Sequence, residues 1–527
     1  MGHPGRWIHS VSVIRCEYMS KFYLTTPIYY VNDRPHIGHA YTTFAADTIA
    51  SWHRMRGEEV FLLTGTDENA QKNSEAAAVR LGKPTKAVTR EEVQHYVDEM
   101  SALWQRTWDS LGIRVDRFIR TTEPSHVRGV EQFIAAVRER NPDDIYRGTY
   151  SGWYCVGCEA FIPETDAKDG MCPTHVRALE KLEEENYFFR LSNYRDALLR
   201  HIEQHPAFVQ PESRRNEIVA YIGEHLADTS ISRPMRNWGI PFPDDPSQTV
   251  YVWFDALTNY LTGVGYESDG ATFGKHWPAD LHVVGKDIIK FHCALWPAML
   301  MSAGLPLPER VFAHGFFTID GQKMSKSLGN VVDPTVLADR YGADVVRYFL
   351  LREISFGGDG DFSEQRLRQR YASDLQHGIG NFAARTITML HKYAGGKTPT
   401  ADGASRVERT WEKYAIAMDG LALHEALGIV EETIRAGDRT IEEERPWELA
   451  QRGETDRLHR VLGNLAELLR HISLMLVPFM PETAEKILTA LGQDGWRNEH
   501  FSDLQKWGRM KEGTAVGKLE HLFPALE

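Results

Sequence analysis

Cysteine is scarce in this chain. Five residues among 527 cannot staple so long a polypeptide, so a disulfide framework of the secreted kind is excluded and a reducing, cytoplasmic setting is expected. Long apolar runs are missing too. The most apolar stretch, residues 288–307, carries Lys290, His292 and two prolines, and reads as a buried helix and loop rather than the roughly 20-residue span that a bilayer demands. No membrane association is expected. Positive charge is short as well: 60 Lys and Arg against 73 Asp and Glu give a net charge of -13. That balance excludes nonspecific coating of nucleic acid but leaves room for a local basic face. Neither a Walker A loop nor a Gly-x-Gly-x-x-Gly turn occurs, which removes the common ways of cradling a nucleotide phosphate. A signal-peptide core is absent: residues 1–18 hold Arg6 and only the short run Val11-Ser12-Val13-Ile14. Met19-Ser20-Lys21 directly precedes the first strand pattern, so residues 1–18 are expected to be a dispensable extension.

What is present is an ordered alternation. At 527 residues the chain has room for about three or four domains. Residues 22–30 form an aromatic and β-branched run that predicts a strand, residues 36–56 a helix, and residues 60–65 a second buried strand whose end carries Thr66-Asp67-Glu68. This predicts a doubly wound, parallel-sheet α/β domain of Rossmann-like type, with ligands at the carboxyl ends of the strands. The pattern is interrupted over about residues 120–237 and resumes with residues 251–257 and the strand 281–285. Beyond Asn330 the apolar spacing becomes helical, as in Leu423, Leu427 and Val430, or Leu458, Val461, Leu462, Leu465 and Leu468. The expected organisation is an extension (1–18), a first catalytic half (19–119), an insertion (120–237), a second half (238–319), a lysine-loop linker (320–364), a helical bundle (365–505) and a tail (506–527).

Three constellations carry chemistry. His36-Ile37-Gly38-His39 falls on the turn between the first strand and its helix, where free N–H groups and the positive dipole end suit a phosphate and Gly38 permits close approach. Lys323-Met324-Ser325-Lys326-Ser327 follows a strand-like run, residues 311–319, and a turn, Asp320-Gly321-Gln322. Two ammonium groups on such a loop can offset charge on departing pyrophosphate. Taken singly, the first segment is an ordinary helix start and the second a solvated basic loop. The third is Cys155-x2-Cys158 with Cys172-Pro173-Thr174-His175. Two short-spaced ligand pairs, with Gly157 and Gly170 for tight turns, fit a tetrahedral, structural Zn²⁺ site, and a metal-free thiol cluster is the alternative. Cys16 and Cys293 stand outside it.

The order and separation of the first two segments resemble the paired signatures of class I aminoacyl-tRNA synthetases, in which both converge on one ATP. Thr25-Thr26-Pro27-Ile28-Tyr29-Tyr30, Tyr251-Val252-Trp253-Phe254-Asp255-Ala256, Gly285-Lys286-Asp287-Ile288, Phe291-His292 and Trp296-Pro297-Ala298-Met299-Leu300 narrow the resemblance to the methionyl-tRNA synthetases, from about Tyr23 to beyond Trp447. The resemblance implies activation of L-methionine by ATP with Mg²⁺ to methionyl-adenylate, then transfer to the 3′ end of tRNA(Met), including the initiator. It implies His36, His39, Lys323 and Lys326 as catalytic groups, and Gly38, Gly285, Asp287, Ser325 and Arg233 around ATP. Asp67 would hold the substrate ammonium, with Ile28, Tyr30, Trp253, Ala256, Leu257, Tyr260, Ile288, His292 and Trp296 around the side chain. Asn381, Arg385 and Trp447 would read the anticodon, where stacking contributes about 1 to 3 kcal/mol per base.

Spacing supports the pocket without proving it. Ile288, His292 and Trp296 recur at i, i+4, i+8, and Trp253, Leu257 and Tyr260 at i, i+4, i+7, which predicts two helix faces and an aromatic cleft suited to a thioether, although the same spacing serves an ordinary core. Two departures stand out. Asn69-Ala70 replaces the His-Gly that many members carry after Asp-Glu, and no oligonucleotide-binding module is recognisable after the helices, so a monomer is expected. Rival readings are a synthetase for Leu, Ile, Val or Cys, a nucleotidyltransferase, and a noncatalytic tRNA-binding relative. The first usually carries a longer editing insertion, or zinc in the pocket. The second has no use for Asn381, Arg385 and Trp447, and intact histidines and lysines oppose the third.

Overall fold

The computed structural model describes residues 20–155, 160–162, 167–173, 177–324, 329–402 and 407–526. The proposed extension, Cys158, His175, Ser325 and Lys326 lie outside the described residues. The chain opens with β1 (Lys21–Tyr30), α1 (Ile37–Met55), β2 (Glu59–Asp67), α2 (Gln71–Leu81), α3 (Arg90–Ser110), β3 (Arg117–Arg120) and α4 (Pro124–Arg140). Next come β4 (Ile145–Cys155), β5 (Ala160–Ile162), β6 (Glu180–Phe189), α5 (Arg195–Gln204), β7 (Val209–Gln210) and α6 (Glu212–His225). Four short strands follow: β8 (Thr229–Ser230), β9 (Ser232–Pro234), β10 (Pro241–Phe242) and β11 (Asp245–Val250). Then come α7 (Val252–Leu257), α8 (Asn259–Thr262), α9 (Gly270–His276), β12 (Leu281–Gly285), α10 (Trp296–Ala303), β13 (Val311–His314), β14 (Phe317–Ile319) and β15 (Gln322–Lys323).

The main sheet runs β3-β2-β1-β12-β13-β7, every neighbouring pair parallel. From β1 the chain steps outward to β2 and β3 on one side, whereas β12 and β13 return on the other. The crevice at the carboxyl ends of β1 and β12 is therefore the topological switch point, where ligands of such sheets bind. Tyr30 and Asp67 lie side by side at that edge, in register as the last pair of β1 and β2.

Four readings of the sequence are refined here. The run 311–319 is two strands: a Cβ on Gly315 would lie 2.3 Å from the carbonyl oxygen of Gly358, so the chain turns there and β14 enters a separate sheet, β15-β14-β16 with β16 at Gly360–Phe362. The helical stretch after β12 contains a π-helical turn, Phe291–Leu295, ahead of α10, so the i, i+4, i+8 reading of Ile288, His292 and Trp296 does not hold as a regular α-helical face. Trp253 and Tyr260 lie on two short helices, α7 and α8, rather than one. The segment 120–237 is also not a separate unit throughout. α4 packs on α8 and α10, and β7 forms the edge of the main sheet. The antiparallel sheet β5-β4-β6-β8 is separate from the main sheet, although Phe189 at the end of β6 packs into the catalytic core.

The rest is helical: α11 (Pro334–Tyr341), α12 (Ala343–Glu353), α13 (Glu364–Arg370), α14 (Asn381–Tyr393), α15 (Val407–Asp419), α16 (Leu423–Glu444), α17 (Pro446–Arg452), α18 (Thr455–Leu476) and α19 (Pro481–Ala490). Its apolar seam is continuous with the face of the catalytic domain that carries α1. On α1, buried Asp47 pairs with buried Arg347 of α12 at 2.9 Å, and Asp419, at the end of α15, accepts from Trp52 Nε1 and from Arg56 Nη1, each at 2.8 Å. No described helix is long and apolar enough to cross a membrane.

Local signals were written plainly in places. Thr89 and Glu92 form a reciprocal capping box at the start of α3, Thr89 Oγ1 accepting from Glu92 N at 3.3 Å and Glu92 accepting from Thr89 N at 3.1 Å. Thr89→Ala is expected to cost about 1 kcal/mol, read as a lowered urea midpoint with unchanged slope. No shift in the midpoint would mean that the cap contributes nothing.

Candidate active site

The first signature builds its own geometry. His36 is the N-cap of α1; its Nδ1 accepts from Gly38 N at 3.1 Å, and His39 Nδ1 accepts from His36 N at 3.2 Å. A backbone N–H on each Nδ1 leaves the proton of each neutral ring on Nε2. The two rings stack with centroids 3.6 Å apart, and His39 is flanked by Tyr29 and Trp104 at 5.1 and 4.9 Å. Loss of water and the adjacent His36 hold the His39 pKa well below the usual histidine range. The turn thus presents ring N–H donors, that of His39 on a neutral imidazole. These can stabilise a phosphate oxyanion without an imidazolium that water would have to solvate.

The second signature meets this turn. A Cβ on Gly38 would lie 3.0 Å from His36 Cε1 and 3.6 Å from Met324 Cε, so the histidine turn and the lysine segment lie against each other and a side chain at 38 would press on the His36 ring. Ile37 N donates to Val332 O at 2.9 Å, tying the start of α1 to the chain beyond the loop. Thr42 of α1 bonds His314, the last residue of β13, at 2.7 Å. Lys323 pairs with Thr318 as the last residue of β15, so the lysine segment leaves a hairpin whose turn uses Asp320 and Gly321 at φ 49° and 76°.

A second cleft opens beside this one. Tyr30 meets Trp253 edge-on at 6.5 Å, and Trp253 stacks on Phe291 at 3.8 Å and 5°. Deeper, Tyr260 lies 5.6 Å from His292 and 5.9 Å from Trp296, ring to ring. Ile28, Trp253 and Ile288 line the same apolar cluster as buried Leu257, Tyr260 and Trp296. His292 Nδ1 faces the carbonyl of Ile288 at 3.0 Å and its Nε2 faces the hydroxyl of Tyr260 at 2.7 Å. The carbonyl can only accept, so the ring donates through Nδ1 and Tyr260 donates to Nε2. Burial lowers the His292 pKa to about 4. The cleft floor is therefore neutral and aromatic, matched to an uncharged, polarizable side chain. At its rim Asp67 is 3 % exposed. Beyond it, a Cβ on Gly285 would lie 2.6 Å from Asp287 Oδ1, so any side chain there would displace the Asp287 carboxylate.

Arg233 sits on β9. Its Nη1 donates to Ser230 Oγ at 2.6 Å and to Ser232 O at 2.8 Å, and its guanidinium covers the rings of Tyr251 and Tyr154 at 4.6 and 5.5 Å. It joins the strand ending in Cys155 to the start of α7. Lys72 is a residue that spacing overlooked: its ammonium sits 2.9 Å from the ring centroid of Tyr30. The available signal was a basic residue in the first turn of α2, opposed by the helix dipole.

Away from the cleft, Cys155 and Cys172 are buried together with Leu179 in one small cluster. Among the described residues no group of three or more metal donors is assembled. On the helical region Asn381 is exposed and Arg385 lies one turn along α14, its Nη2 donating to Glu442 at 2.6 Å. Half-buried Trp447 stands in the first turn of α17, just after α16, which carries Glu442.

Comparison with known proteins agrees with this geometry. The family model described as tRNA synthetases class I (M) matches residues 22–181 and 175–387. Methionine–tRNA ligases of Thermotoga maritima and Thermosynechococcus vestitus are 45% and 46% identical over 520 and 526 residues, covering 96% of this chain and 80% and 97% of theirs. A Mycobacterium tuberculosis methionyl-tRNA synthetase structure, in complex with methionyl-adenylate, superposes with a TM-score of 0.90 at 39% identity, covering 96% of this chain and all of the other. On the sheet order, the meeting of the two signatures and these likenesses, the chain belongs to the class I (M) tRNA synthetases, the family of the methionine–tRNA ligases.

Proposed function

We propose that this enzyme activates L-methionine with ATP and charges tRNA(Met) with the methionyl group, as a cytoplasmic monomer serving initiation and elongation. The observation that carries this reading is the closing of Met324 on Gly38 beside a neutral aromatic cleft. A methionine carboxylate oxygen attacks the α-phosphorus of MgATP, and the bond to pyrophosphate breaks with its electron pair leaving on pyrophosphate. A ribose hydroxyl of the tRNA 3′ end then attacks the acyl carbon and releases AMP. Asp67 holds the substrate ammonium, the Nε2–H groups of His36 and His39 meet the α-phosphate, and Lys323 and Lys326 offset charge on pyrophosphate. Positioning and fixed dipoles supply most of the acceleration.

Cys155 and Cys172 fit a structural zinc site, because two fully buried thiols share one cluster at a hairpin end and the remaining pair of the motif follows each by three residues. Bound there, zinc would hold the two turns together. Asn381, Arg385 and Trp447 supply an anticodon-reading face in which an exposed amide, a guanidinium and an indole present donors and a stacking surface.

The test is amino-acid-dependent exchange of labelled pyrophosphate into ATP, run over all twenty amino acids without tRNA. Signal with methionine alone is expected; signal with a different amino acid would overturn the substrate. Norleucine is expected to compete measurably, since the cleft offers no strong hydrogen bond to the side chain and one methylene-sized difference is worth only about 1 to 3 kcal/mol. Complete rejection of norleucine would contradict that pocket chemistry.

A further inference from the structure

We propose that Asn69 is a positioning residue that sets the separation between the two walls of the methionine pocket, an inference that rests on the adenylation reading above. One wall ends in Asp67, which seats the substrate ammonium. The other is α7, whose Trp253, Ala256 and Leu257 face the side chain. These walls are nearly two hundred residues apart in sequence, and Asn69 spans them. Its Nδ2 donates to Asp255 Oδ2 of α7 at 2.9 Å and to Thr121 O at 3.0 Å. Asp255 stands two residues after Trp253 and next to Ala256.

Asp255 is fully buried, which makes its geometry exacting. Its other oxygen bonds His126 Nε2 at 2.7 Å, and His126, equally buried, reaches Thr262 of α8 through Nδ1 at 2.7 Å. A carboxylate in a dry site must keep donors on both oxygens, and losing one leaves a desolvated acceptor unpaired. Without the Asn69 amide, Asp255 turns or α7 moves to recover a donor, and either displacement carries Trp253 relative to Asp67. The loop cannot absorb this, because it is held elsewhere. Glu68 N donates to Thr121 Oγ1 at 2.8 Å, Trp238 Nε1 donates to Glu68 O at 2.6 Å, and Asn73 Nδ2 donates to Asp67 O at 3.0 Å.

This gives the departure from the common His-Gly a physical content. A carboxamide offers two N–H donors and satisfies Thr121 O and Asp255 at once, whereas a neutral imidazole has one N–H to give. Histidine here retains the bond to the charged partner and releases the other. The chain with asparagine grips its pocket loop at two points.

The experiment compares Asn69→Leu, Asn69→Ser and Asn69→His in the full chain by methionine-dependent pyrophosphate exchange, with ATP and methionine varied separately, norleucine as competitor and thermal unfolding in parallel. Asn69→Leu and Asn69→Ser are expected to raise the methionine KM about tenfold, the scale of one hydrogen bond to a charged group, with the ATP KM unchanged. Both are expected to narrow discrimination against norleucine, and Asn69→His to stay within about threefold of the unaltered chain. If Asn69→Leu fails to fold, Asn69→Ser decides. Folded variants that melt earlier yet keep the methionine KM and the norleucine ratio would overturn the positioning role and leave Asn69 a structural residue. Absence of methionine-dependent exchange in the unaltered chain would overturn the adenylation reading, and this inference with it.

Discussion

Replacing Asp67 by asparagine is expected to lower kcat/KM for methionine in pyrophosphate exchange by about two to three orders of magnitude, the loss that follows when one partner of a buried charge pair is neutralised. The substitution is nearly isosteric, so the carbonyl of residue 67 still accepts from Asn73 and the β1–β2 register is unchanged. The change removes the negative charge proposed to meet the substrate ammonium. At 3 % exposure little water is present to replace it. An ammonium that leaves water for this cleft then finds a neutral amide that competes with its own N–H groups for acceptors. The KM for ATP is expected to stay near its original value, because the nucleotide contacts proposed above lie around Gly38 and Gly285. A loss smaller than about fivefold would show that the ammonium is seated elsewhere.

The second large effect concerns acid. His292 and His314 are both fully buried with pKa values lowered to about 4, and His39 and His282 are displaced in the same direction, chiefly by burial. In the unfolded chain each takes up a proton near the usual 6.5. Between pH 6.5 and 4 the unfolded state therefore binds more protons than the folded one, and stability falls as pH falls through that window. A displacement from 6.5 to about 4 corresponds to about 3 kcal/mol for each of His292 and His314 by pH 4. The bonds show why the proton is refused. His314 Nδ1 faces the carbonyl of Gly315 at 2.8 Å and Nε2 faces the hydroxyl of Thr42 at 2.7 Å, so protonating Nε2 turns an acceptor into a second donor with no carboxylate to meet it. Urea midpoints at pH 7.5, 6, 5 and 4.5 should descend together with activity. A midpoint that holds steady to pH 4.5 would rule out these neutral buried imidazoles.

Much of the catalytic half was legible because its signals are local. The aromatic run before His36 and the apolar pattern after it predicted a strand and a helix that agree with β1 and α1 to within a residue at most ends, and periodicity needs no partner. The strand 281–285 read equally well because a fully buried parallel strand is apolar on both faces. Where tertiary contacts decide, sequence spacing misled. Gly315 breaks the 311–319 run because Gly358 approaches it, and the π turn at 291–295 shifts the face that regular spacing assigned to His292. The stacking of Arg233 on Tyr154 and Tyr251 depends on an insertion whose docking no local pattern encodes. Asn69 was visible only as a departure from a motif and Lys72 only as a basic residue in the first turn of a helix; their partners Asp255 and Tyr30 come from other segments.

The path of α1 has a mechanical consequence. Its 19 residues at 1.5 Å rise make a rod of about 28 Å. One tip bears the His36 turn, and the other is clamped through Trp52 and Arg56 to Asp419 in the helical region. Buried along most of its length, the rod has little freedom to bend, so a tilt of about 2° at the clamp swings the histidine tip by about 1 Å. A misplacement of that size is enough to alter a reaction rate about hundredfold. The histidine turn thus acts as the far end of a lever whose fulcrum lies on α15, a neighbour in the bundle of the helices that carry Arg385 and Trp447.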